Sequence, residues 1–365
     1  MFESDALFHS FLERQAEWQQ RCREQLCEAL RTSEIPLPDD LRAKIVRLSY
    51  GDREEVLRCH PGRHMAERLS SYRTSLGVFE SSVSDLLEII SVFGQAYLDG
   101  GILNRRNKAE LRRIEQKVQK ELFCATNAAH ALVDHSTRRL QKVANVPGFK
   151  EKLAEAFKDD GLHEFVISLR TVLHHVKMIQ AEWSFQHSFR SGTGSASFVL
   201  NSEAMIRLFE SVISSQKLER VSRFISSVER DIDLGIVFRE YRQRVGSFHD
   251  WFSGELQSDL FEEVRDYEIC RTEGRNFASR MMWSALVGNW LNWETPPNPY
   301  DHLESYLTPE ELAQTLALPK GSPAQIDKII HFVDEEQACD ENTRKLIHKY
   351  FNRATEVHSA LQKKG

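Results

Sequence analysis

The sequence predicts an all-α protein, a multi-helix bundle carrying one small β-hairpin at about residues 182–200. Three observations predict it. Apolar residues recur at i, i+3, i+4 and i+7 in segment after segment, the stripe of helices with one face in a core. Stretches bearing proline and glycine, such as 35–38, 146–148 and 295–299, separate those segments. Period-two alternation, the strand signature, is convincing in one place: Trp183, Phe185, His187 and Phe189, then Ala196, Phe198 and Leu200 across the turn Arg190–Ser195.

Taken in order, residues 3–31 form one helix with Phe8, Phe11, Leu12, Trp18, Cys22, Leu26 and Leu30 as its stripe. Ile35-Pro36-Leu37-Pro38 ends it, because proline lacks the amide and restrains the residue before it. Asp39 or Asp40 caps a second helix through Leu48, and His60-Pro61-Gly62-Arg63-His64 is expected to be a solvated loop. Residues 76–98 carry Leu76, Phe79, Val83, Leu86, Leu87, Ile90 and Phe93 at core spacing. Gly100-Gly101 marks a boundary, and a long helix follows over 105–140. Helices are also expected at 149–158, 202–214 and 216–230, and after an Asp231 or Asp233 cap. Residues 259–293 form a long helix or two. Thr308-Pro309-Glu310-Glu311 and Ser322-Pro323-Ala324-Gln325 then read as helix starts, and the last helix spans about 340–361.

A chain of 365 residues, 41% hydrophobic and 28% charged, fits a globular protein of two or three domains, or of one domain with extensions. The expected division is an N-terminal helical region at 1–99, a helical domain with the hairpin at 100–258 and a C-terminal helical region at 259–365. Neither a membrane-spanning run nor the layout of a signal peptide is present, so a cytoplasmic location is expected. The six cysteines, at 22, 27, 59, 124, 270 and 339, include no C-x-x-C pair, and reduced thiols without a bound metal are expected. No cofactor motif is found: Gly192-Thr193-Gly194 lacks the lysine and helix of a phosphate loop.

The net charge of −6 gives the whole molecule no attraction for nucleic acid. Residues 101–120, however, hold seven bases against two acids. Arg105, Arg106, Lys108, Arg112 and Arg113 are the candidate RNA-binding residues, and equally the wet face of a helix whose apolar side is Leu111, Ile114, Val118 and Leu122.

The candidate chemistry lies in Gly161–Val176. Its apolar positions 162, 165, 166, 169, 172, 173 and 176 make a largely buried helix that also carries Arg170, His174 and His175. Residues i and i+4 share a helix face, whereas i and i+5 lie about 140° apart, so Arg170 stacks near His174. A guanidinium can hold a scissile phosphate while an imidazole exchanges protons with the ribose 2′-hydroxyl or the leaving oxygen. Upstream, His130 and Asp134 stand at i, i+4 and could hydrogen-bond to complete a polar pocket.

Arg170 followed five residues later by His175 resembles the R-x4-6-H signature of the HEPN superfamily, over roughly residues 100–255. Thr171 stands where members often have Asn, Asp or His. The resemblance implies an all-helical domain and metal-independent RNA cleavage at a site shared by two protomers of a homodimer, often in a toxin or antiphage effector. Arg170 would stabilise the phosphate, His175 would move protons, and His174 or Asp134 would support them. The other reading makes the same residues structural, with Arg170 paired to a carboxylate such as Asp134. The chain is then a non-catalytic helical module or regulator with a protein partner.

Overall fold

The computed structural model describes residues 2–98, 104–175, 181–188, 193–228, 231–256 and 261–362; of residues 2–11, 105, 175, 185–188 and 193–195 it describes the backbone alone. The protein is mostly helical, with one small antiparallel sheet. Among the described residues no helix is long and apolar enough to cross a membrane.

The chain forms two compact units, one made of residues 1–63 and 262–365, the other of residues 64–261. The first unit begins with α1 (Phe2–Thr32), α2 (Asp39–Val46) and α3 (Tyr50–Leu57). The second begins with α4 (Arg63–Leu98), which starts thirteen residues before the expected 76. Tyr72, Ser75, Phe79, Val83, Leu86, Ile90 and Phe93 are its buried stripe. The expected boundary at 99 therefore falls at the end of a helix that belongs with the middle of the chain. The two terminal regions, whose independence the sequence leaves open, form one unit.

A 3-10 turn at Arg105–Asn107 leads into α5 (Lys108–Val133), whose last turn passes into a π-helix at Asp134–Leu140 and then α6 (Gln141–Ala144). There follow α7 (Phe149–Phe157), α8 (Leu162–His175), strands β1 (Glu182–Ser188) and β2 (Thr193–Leu200), α9 (Ser202–Glu210), α10 (Ser215–Ser227), β3 (Ile232–Asp233) and α11 (Leu234–Glu255). The expected hairpin forms: β1 pairs antiparallel with β2, with Trp183 opposite Phe198. A short third strand, unforeseen, pairs Leu200 with Ile232. Asp233 caps α11 by accepting from the Ile236 amide.

The first unit resumes with α12 (Glu262–Leu291), α13 (Leu303–Tyr306), α14 (Pro309–Leu316), α15 (Pro323–Val333) and α16 (Glu341–Gln362). Their core gathers Val287, Leu303, Ile326, Ile330, Tyr350 and Phe351, with Trp283 and Trp290 against it. Thr308 and Glu311 form the expected capping box, and Ser322 caps α15.

Two expectations are corrected in this unit. His60 is not in a solvated loop: it is 2% exposed, whereas its neighbour His64 is open to solvent. Cys27 and Cys59 are not free thiols but a disulfide; Cys22, Cys124, Cys270 and Cys339 are free. Thirty-two positions separate the bonded pair. Sequence spacing could not reveal a contact that depends on α1 lying along α3.

Candidate active site

The turn before α8 fixes where its polar residues stand. Gly161 has φ +84°, and a Cβ there would lie 2.0 Å from the Arg220 carbonyl oxygen, so the chain needs glycine. Asp160 accepts the Leu162 amide with Oδ1, while Arg244 holds the same carboxylate at 3.0 and 2.6 Å. From this start, Leu162, Phe165, Val166, Leu169, Val172 and Leu173 are buried, the expected stripe. α8 packs on α5 and α10.

Arg170 is half-buried at the seam with α5, where its Nε donates to Asn127 Oδ1 at 3.4 Å. No carboxylate among the described residues lies within ion-pair reach of it, and its terminal nitrogens donate to none of those residues. The alternative pairing with Asp134 does not form: that carboxylate binds Arg138 at 3.2 Å and Arg139 at 3.3 Å. Local partners satisfy Asp134, and Asn127, a neutral amide, orients the arginine without cancelling its charge.

His130 lies three residues beyond Asn127 on the same face of α5 and is half-buried. Burial, then the charges of Arg170 and Arg138, hold its imidazole below the ordinary histidine range, against the pull of Asp134. The expected His130–Asp134 hydrogen bond is not among the contacts of the described residues, because Asp134 turns to its arginines. His174 is exposed, and its ring stacks on Phe123 of α5 at 5.0 Å between centroids. His175 ends α8, and its side chain lies outside the described residues.

Of the candidate RNA-binding residues, Arg106, Lys108, Arg112 and Arg113 are exposed, and Arg105's side chain lies outside the described residues. At 100° per residue, Arg112, Gln116, Phe123, Asn127 and His130 fall within roughly 60° of arc on α5. Arg113 reaches Glu110 at 3.6 Å, and the adjoining groove between α4 and α5 carries Asp85, Glu88 and Glu121 beside Lys117 and Lys120. Positive charge there is therefore diluted. The small residues Ala125, Ala128 and Ala129 are buried within the chain's own helices.

Comparison with protein-family models, with curated proteins and with solved structures finds no match.

One other cluster has ligand-type chemistry. His60, Asp266 and Cys270 lie buried in the first unit with their donor atoms within 4.8 Å of one another. The Gly62 amide donates to His60 Nδ1 at 3.1 Å, which places a neutral ring's proton on Nε2, facing Asp266 Oδ2 at 3.2 Å. Arg42 takes the other Asp266 oxygen at 3.0 Å, and burial pushes the Cys270 thiol up to about 11. With the imidazole lone pair turned away, the carboxylate occupied and the thiol protonated, the trio suits a buried polar tie better than metal ligation.

Proposed function

We propose that the chain is a metal-independent endoribonuclease of the HEPN type, acting in the cytoplasm as a homodimer and serving as a toxin or defence effector. The observation that carries this reading is the setting of Arg170: a half-buried residue whose guanidinium is oriented by Asn127 through Nε, with no carboxylate among the described residues pairing it. A guanidinium held by a neutral amide keeps its full charge, and an anion bound in use supplies the partner it lacks. An RNA phosphodiester is such an anion, and the forked donors of arginine match two of its oxygens.

In this reading one imidazole takes the proton of the 2′-hydroxyl as its oxygen attacks phosphorus. A second gives a proton to the departing 5′-oxygen, leaving a 2′,3′-cyclic phosphate and a 5′-hydroxyl. Arg170 stabilises the charge that grows on the phosphate oxygens. His130, kept neutral at pH 7 by burial and by Arg170, suits the proton-accepting role. His174 and His175, at the end of α8, are the candidates for the proton-donating role. Asp134 is left a supporting part only, holding Arg138 and Arg139 beside the site. Phe123 offers its ring, already stacked by His174, as a wall for a base.

A non-catalytic module with a protein partner is the second reading, favoured by the exposure of Leu12 and Trp18 on α1, the latter 62% exposed. Expression of the wild type and of an Arg170→Ala/His175→Ala variant, followed by growth and the integrity of total RNA, separates them. RNA breakdown in the wild type alone supports the nuclease. Equal behaviour under conditions that trigger the wild type supports the module.

A further inference from the structure

Among the described side chains of α1, burial is confined to the C-terminal part of the helix. Residues 12–21 of α1 are exposed on every side, whereas Leu30 is fully buried and Cys22, Arg23, Leu26 and Cys27 are half-buried. Along this stretch Arg23 pairs with Asp52 at 3.0 Å and Glu55 at 2.9 Å, and Cys27 is bonded to Cys59 just beyond α3. One covalent bond thus sits in the middle of the segment that holds a long helix in place. Both cysteines are half-buried, neither of them wholly enclosed in the core.

We propose that Cys27 and Cys59 form a reversible thiol–disulfide modification site that clamps or frees α1, exchanging with a small monothiol and its disulfide of the glutathione class. In the opening direction the external thiolate attacks Cys27 Sγ, forming a mixed disulfide, and Cys59 leaves as a thiolate. A second external thiolate attacks the outer sulfur of that mixed disulfide and releases Cys27. Two small thiols become one small disulfide, the protein gains two electrons, and each cysteine takes a proton.

The direction of the first step follows from charge. Arg31 Nη2 lies 3.7 Å from Cys59 Sγ, so a guanidinium stands ready beside the sulfur that must carry negative charge as it leaves. Lower basicity of the departing thiol speeds exchange, and an adjacent cation supplies that. Arg31 also faces Glu28 at 3.6 Å, an exposed pair that leaves it close to both groups. Opening leaves α1 held through Leu26, Leu30 and the ion pairs of Arg23 with Asp52 and Glu55, while Cys59's neighbour His60 stays fixed to Asp266.

The test equilibrates the full chain in oxidised or reduced glutathione and reads two quantities. Alkylation followed by mass analysis counts blocked cysteines, and amide hydrogen exchange reports on residues 22–32. The proposal expects Cys27 and Cys59 to resist alkylation in oxidised glutathione and to react after reduction. It also expects exchange across 22–32 to speed up at least tenfold on reduction. A Cys27→Ser/Cys59→Ser variant should exchange like the reduced protein in both buffers, and Arg31→Gln should slow reduction severalfold. Full alkylation of both residues in oxidised glutathione overturns the modification site. Identical exchange of 22–32 in the two states overturns the clamp.

Discussion

The buried histidine of α11 yields a pH dependence that can be worked from its surroundings. His249 is 4% exposed, Tyr72 Oη meets its Nδ1 at 2.9 Å, and Ser253 Oγ lies 3.2 Å from the same hydroxyl. Burial pushes the imidazole down to about 3 from an ordinary value near 6.5. Because the folded value is depressed, the unfolded chain binds the extra proton, and stability is lost as pH falls below 6.5 toward 3. At pH 7.5 the group has almost no effect; at pH 5 the unfolded imidazole is mostly charged while the folded one is neutral. The difference is roughly 2 kcal/mol. A His249→Phe variant has no such group, so its stability should fall between pH 7.5 and pH 5 by roughly 2 kcal/mol less than the wild type's. Urea unfolding of both proteins at the two pH values measures this. His60, His130 and His163, whose values are also lowered, cancel in the comparison. Parallel pH dependences for the two proteins would mean that His249 is not held neutral by its burial.

Further expectations concern the site and its supports. Asn127→Asp should give Arg170 a permanent carboxylate partner. RNA cleavage should then fall by ~10–100-fold with thermal stability kept or raised, read by cleavage assay and melting together. Arg170→Lys keeps the charge but loses the fork, so it should rescue little of what Arg170→Ala removes in the same assay. Gly161→Ala should destabilise the second unit by about 2 kcal/mol or more, since the new Cβ meets the Arg220 carbonyl at a positive φ; calorimetry checks it. Loss of the Cys27–Cys59 bond, which closes a loop across a separation of 32 residues, should cost up to about 4 kcal/mol in the first unit, seen as a lower melting temperature of Cys59→Ser.

Many signals decided by residues a few positions apart were legible, though not all: α2 has Pro38 at its N-cap with no side-chain bond, where Asp39 or Asp40 was expected. The stripe of α8, the hairpin, the Asp233 cap and the Thr308–Glu311 capping box were all legible. Contacts between distant segments were not. Asn127 and Arg170 are 43 residues apart, and Asn127 stood among alanines with nothing to mark it. A helical wheel of α5 carries the one available hint, since it puts Phe123, Asn127 and His130 on a single face. The same limit hid His60–Asp266, 206 positions apart, behind a turn signal that reads as solvated. For Asp134 the sequence offered His130 and Arg170 as partners, and Arg138 and Arg139, which it did not single out, take the carboxylate instead.

In the proposed mechanism Arg170 holds a phosphodiester for attack by its own ribose. The most direct measurement incubates an end-labelled RNA with the triggered protein in the presence of a chelator and resolves the termini produced. The wild type should leave 2′,3′-cyclic phosphate and 5′-hydroxyl ends, and Arg170→Ala, folded and equally soluble, should be slower by about a thousandfold. Cutting by Arg170→Ala at the wild-type rate, or 5′-phosphate ends, would contradict the account.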